Sequence, residues 1–168
     1  MKIWAWICAG TLGFLMTGLP TSASAESIRD QILGTWALVS NSDQNSDGTP
    51  KWGNNREGSL IFESNGRYSF VIIRSDLPKF AANSADKGTS EENASVVHGS
   101  FANFGTFTVD DEVKKSFTTN IEASIYPNIV GRSLTRTITA IGPDELQYTN
   151  AATATGASAN AVWRKTGP

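Results

Sequence analysis

Cysteine and histidine each occur once in the 168 residues, as Cys8 and His98. Cys8 lies inside an apolar leader, so the chain beyond it has no thiol. No disulfide, no Cys/His nucleophilic pair and no Cys/His metal cage can be built from it. No serine sits in a Gly-x-Ser-x-Gly elbow, which removes the common hydrolase arrangement. Charge of one sign is also lacking: 14 basic residues stand against 16 acidic ones, net −2, with no basic stripe. Nucleic acid is therefore not an expected partner. Long apolar runs are missing except at the N-terminus, and no internal repeat or low-complexity tract is present.

That one run has the organisation of a secretory signal. Lys2 gives a positive start, "IWAWICAGTLGFLMTGL" an apolar stretch, and Ala23 and Ala25 a small-residue cleavage site before Glu26. Pro20 and the short apolar length favour cleavage over a retained span. The expectation is a signal peptide over residues 1–25 and one domain over residues 26–168. The mature protein would be periplasmic or secreted, with no stable membrane anchor. Export permits disulfides, but this domain has none to form and must be held by its core.

Strand patterns fill most of the remainder. "GTWALVS" alternates, and "GSLIFES" and "GRYSFVIIR" flank Ser64-Asn65-Gly66, a tight turn with residues suited to positive φ. "SFANFGTFTV" places Phe101, Phe107 and Val109 on odd positions with Phe104 out of step, which suggests a bulge or a bend in the strand beside Gly105. "KKSFTTNIEASI", "GRSLTRTITAI", "ELQYTNAAT" and "ANAVWRK" complete about eight strands, the last two flanking Gly156. Short polar turns between them favour an all-β, antiparallel up-and-down barrel. "ESIRDQIL" fits a short helix before the first strand. The long connection from Ser75 to Gly99 contains a capping-box pattern, Thr89 with Glu92, and fits a lid over the open end.

Three stretches resemble the bacterial and fungal lipocalin-like domain family, relatives of the lipocalins and fatty-acid-binding proteins. They are "ILGTWALVS", "DGTPKWGNNREGSLIFESNGRYSFVIIRSDLPKF" and, most specifically, "IEASIYPNIVGRSLTRTI". The likeness runs over nearly all of residues 31 to 165 and implies an antiparallel barrel with an internal cavity. It implies a ligand-binding architecture more firmly than a reaction, although some barrel relatives are cyclases or isomerases. Asn120 stands where related chains often carry His, so a family site built on imidazole does not carry over. The resemblance also implies that Trp36 plugs the closed barrel end beneath a basic residue of the last strand, here Arg164.

Candidate site residues follow from strand parity. In "GRSLTRTITAI" the face of Ser133, Thr135, Thr137 and Thr139 offers nothing apolar to a core, so Arg136 on the other face points inward. A buried Arg needs compensation. If the hairpin through "YPNIVG" pairs even positions with even, Asn120 and Glu122 lie across from Arg136. The three would anchor a ligand carboxylate, phenol or carbonyl; otherwise Arg136 and Glu122 satisfy each other as an internal ion pair, or Glu122 is outward and solvated. Tyr68, Phe70 and Ile72 form the larger, more aromatic face of their strand and are the expected cavity wall. Phe80 and His98 are expected in the lid, where His98 is either a general base at the mouth or simply a solvated loop histidine. Asp43, Asn45, Asp47 and Gly48 match half a calcium loop, but Asn54 stands where its bidentate Glu belongs, and an Asp-Gly turn accounts for them. No catalytic residue, metal or cofactor is assigned. The expected function is binding of a small hydrophobic molecule bearing a polar group. A cyclase or isomerase and a filled-barrel interaction module are the alternatives.

Overall fold

A computed structural model describes residues 26–44, 47–51, 55–111, 113–151 and 158–168. The leader assigned to residues 1–25 and the turn at Gly156 lie outside the described residues, as do Asn45 and Asn54. The described chain starts with a five-residue helix, α1 (Ile28–Ile32), capped by Ser27, whose hydroxyl accepts from the Asp30 backbone N–H. Eight strands follow: β1 (Gly34–Asn41), β2 (Arg56–Phe62), β3 (Arg67–Arg74), β4 (Ser100–Asp111), β5 (Ser116–Ser124), β6 (Ser133–Ile141), β7 (Glu145–Asn150) and β8 (Ala159–Gly167). Each pairs antiparallel with its sequence neighbour, and β1 pairs with β8, so the sheet closes into a barrel with no free edge.

Short turns gather at one end and long connections at the other. At the short end, β2 and β3 join through Ser64-Asn65-Gly66. Gly66 alone takes the left-handed conformation, at φ +83, while the Asn65 side chain accepts from the Arg67 N–H. At the long end lie the described parts of the β1–β2 connection (residues 42–44, 47–51 and 55) and residues 75–99 and 125–132. The second of these holds α2 (Ser90–Gly99), which has the expected capping box between Thr89 and Glu92. The Glu92 carboxylate also accepts from the Ala81 N–H, tying the preceding loop to the helix start.

Trp36 fills the short-turn end. Its side chain is fully buried, its indole N–H donates to the Ile32 carbonyl of α1 at 2.9 Å, and Ile28 and Ile32 bury beside it. The basic residue over its ring is Lys165, with Nζ 5.1 Å from the centroid, and not Arg164. Alternation along β8 explains the correction: Ala159, Ala161 and Trp163 are buried, Lys165 continues that inward series, and Arg164 is turned to solvent.

The irregularity beside Gly105 is real, but the extra residue belongs to the partner strand. Phe104 opposes Ala123 and Gly105 opposes Ile121, which leaves Glu122 bulged out of the ladder. Gly105 has to be glycine, because a Cβ there would collide with the Asn120 carbonyl oxygen. Phe104 is exposed, as its even position requires.

Two substitutions test these constraints. Trp36→Ala should lower unfolding stability by roughly 3–5 kcal/mol in urea titration, more than Lys165→Met. Gly105→Ala should destabilise by more than about 3 kcal/mol, whereas Gly142→Ala, which meets nothing within 4 Å, should change little.

Candidate functional site: a polar cavity at the long-loop end

Inward-facing aromatic rings fill the barrel from Trp36 upward. Phe62 packs edge-on against Phe107 and Phe117 at 4.7 and 5.4 Å, Phe117 against Tyr148 at 5.5 Å, and Tyr148 stacks on Trp163 at 6.4 Å. Above this packing, at the long-loop end, lies a cavity of about 50 Å³. Its apolar wall includes Phe70, Ile72, Phe101 and Leu134, and its polar lining includes Asn41, Asp43, Lys51, Arg136, Tyr148 and Asn150. A space of this size suits a head group of a few atoms; for comparison, an engineered cavity of about 150 Å³ binds benzene.

Arg136 is the central charge. It points inward on β6 between buried Leu134 and Ile138 and is itself 7% exposed. Its Nη1 donates to Thr119 Oγ1 at 2.6 Å and to the Leu134 carbonyl at 3.2 Å. The guanidinium carbon lies 5.6 Å from the ring centres of both Phe117 and Tyr148. No carboxylate among the described residues forms an ion pair with it. Two hydrogen bonds and two ring faces therefore stabilise a buried cation that has no ion-pair partner among the described residues.

The even-with-even pairing of β5 and β6 does not occur. Phe117 opposes Arg136 and Thr119 opposes Leu134, so odd positions of β5 face inward. Asn120 sits on the outer face, where it accepts from Ser133 Oγ at 2.7 Å. Glu122, at the bulge, is exposed and forms a two-oxygen ion pair with Arg67 at 2.7 and 2.8 Å. Neither joins Arg136. The apolar content of β5 carried the right signal: Phe117 and Ile121 share the odd face and are buried.

Tyr68, Phe70 and Ile72 all face inward as expected, but only the last two reach the cavity. The Tyr68 hydroxyl donates to Asn103 Oδ1 at 2.7 Å deeper in the barrel. The lid residues stay apart from the cavity lining. Phe80 packs within its own connection, its ring against Gly88, and His98 is exposed on α2. Asn103, Thr119 and Asn150 are buried polar residues that pattern reading passed over, although each sits at an inward position of its strand.

Asp43 and Lys51 come from the segment read as half a calcium loop. Asp47 does make the turn, accepting from the Thr49 N–H and hydroxyl, with Gly48 at φ +81. Asp43 instead turns into the barrel mouth, where its Oδ2 lies 3.8 Å from Lys51 Nζ. The Lys51 N–H donates to the Asp43 carbonyl, and Gln44 bridges Pro50, so Asp43 and Lys51 are held side by side. Nothing in the local sequence distinguishes Asp43 from Asp47; only the loop's path does.

Desolvation raises the carboxyl pKa of Asp43 above 3.8, against the attraction of Lys51. Burial likewise raises the phenol pKa values of Tyr68 and Tyr148, and Arg136 partly opposes this. Both phenols remain protonated donors at neutral pH. Between 3.8 and its raised value, Asp43 holds a proton when folded that the unfolded chain has released. Its contribution to stability therefore falls as pH rises through that window. Asp43→Asn should remove this fall, so stability measured from about pH 3 to about pH 7 should decline more in the parent than in the variant across that window.

A family model described as a lipocalin-like domain matches residues 33–166. Among solved structures, a redesigned β-barrel is 14% identical, covering 86% of this chain and 99% of its own, with a TM-score of 0.45. A lipocalin-like protein from Bacteroides uniformis ATCC 8492 is also 14% identical, covering 81% of this chain and 99% of its own, with a TM-score of 0.45. No curated protein matches the chain. With a closed eight-stranded meander described and the family model spanning it from the last residue before β1 into β8, the chain belongs to the lipocalin-like domain family.

Proposed function

We propose that this protein is an exported binder of a small amphipathic molecule, whose anionic or carbonyl head enters the cavity and meets Arg136. The observation that carries this reading is a buried guanidinium without an ion-pair partner among the described residues, lining a cavity. A carboxylate there would accept charge-assisted hydrogen bonds in a site shielded from water. The apolar part of the ligand would lie against Phe70, Phe101 and Leu134 and extend toward the long loops. The cavity volume limits what is enclosed to the head, so the ligand's body stays at the mouth. Export is supported by the leader pattern of residues 1–25.

Calorimetric titration with octanoate and octanamide tests the anchor. Octanoate should bind more tightly than the amide, and Arg136→Met should weaken octanoate by about tenfold or more while leaving the fold intact. Equal affinities for acid and amide, or an unchanged variant, would contradict the role of Arg136. Intact mass of the protein recovered from outside the cytoplasm should correspond to a chain beginning at Glu26. A mass retaining Met1 would contradict cleavage.

A further inference from the structure

Asp43 is the second group in the cavity lining whose bonding is incomplete. Its side chain is 8% exposed, and its Oδ1 is buried without a hydrogen-bond partner among the described residues. The 3.8 Å separation between Oδ2 and Lys51 Nζ is an ion pair too long to be a hydrogen bond. Buried carboxylate oxygens normally accept from a donor, and an orphan of this kind in a binding cavity marks a place for one.

Charge decides which donor fits. The cavity lining includes two cations, Lys51 and Arg136, and one anion, Asp43. One anionic group on the ligand balances the excess. A ligand ammonium facing Asp43 would restore it, leaving a net positive charge in a desolvated space. A neutral hydroxyl satisfies Oδ1 without disturbing the balance. Building on the reading of Arg136 as the anchor, we propose that the cavity selects a monoanionic hydroxy acid, its carboxylate on Arg136 and its hydroxyl donating to Asp43 Oδ1. The head group of such a molecule suits the volume of about 50 Å³, and its alkyl or aryl remainder meets the apolar wall.

The test uses octanoate, its hydroxy derivatives with the hydroxyl on the first or the second carbon after the carboxylate, and the amino acid with an ammonium on the first. All are titrated against the full domain by calorimetry. At least one hydroxy acid should bind about tenfold more tightly than octanoate, and the amino acid should gain nothing. Asp43→Ala should abolish the preference for the hydroxyl, so that octanoate and its hydroxy derivatives bind that variant equally well. Asp43→Asn, which keeps an acceptor oxygen, should retain part of the preference, separating loss of the acceptor from loss of packing. Melting curves of both variants confirm that they fold. Octanoate binding without any hydroxyl preference would overturn the role of Asp43 and leave the Arg136 anchor standing. If no acid binds at all, the anchor fails and this inference fails with it.

Discussion

Closure of the sheet forces each regular strand residue to face either the packed interior or the outside, and the rest of the structure depends on that choice. On β6 the outer face consists of Ser133, Thr135, Thr137 and Thr139, which leaves Arg136 only the inside. On β8 the same rule puts Trp163 and Lys165 inward and Arg164 outward. A guanidinium placed inside by parity cannot turn away to solvent, so the interior has to accommodate it. Thr119, the Leu134 carbonyl and the faces of Phe117 and Tyr148 do so in part.

The two ends of the barrel differ in how completely they are packed. At the short-turn end, Trp36 is enclosed by α1 and Lys165, and the rings of Phe62, Phe107 and Phe117 interlock above it. That half is a filled core, as expected of a domain without disulfides. Polar residues gather at the other end, where the long connections begin. Asp43, Lys51 and Arg136 occupy one small cavity there with incomplete charge and hydrogen-bond balance. The aromatic packing beneath them brings the rings of Phe117 and Tyr148 against the Arg136 guanidinium.

Much of the fold was legible in local chemistry. The eight strands, the Thr89–Glu92 capping box, the Gly66 turn and the break at Phe104 each leave a mark in a few neighbouring residues. The inward direction of Arg136 was legible for the same reason. What failed was pairing between strands. The β5–β6 hairpin aligns odd with even positions, and this sends Asn120 and Glu122 outside, where Arg67 awaits the carboxylate. No local pattern encodes that register, although the apolar pair Phe117 and Ile121 points to the correct face. Asp43 was hidden for another reason: two similar aspartates flank one loop, and the path of the backbone alone decides which makes the turn and which enters the barrel.

The central claim is that Arg136 holds the anionic head of a bound molecule inside the barrel. A crystal structure of the domain soaked with a brominated benzoate tests it most directly, because the bromine's anomalous signal locates and orients the molecule. The account predicts its carboxylate in the cavity within hydrogen-bond distance of the Arg136 guanidinium, with the ring toward Phe70 and Phe101. A cavity holding only water, with the bromine signal elsewhere on the surface, would contradict it.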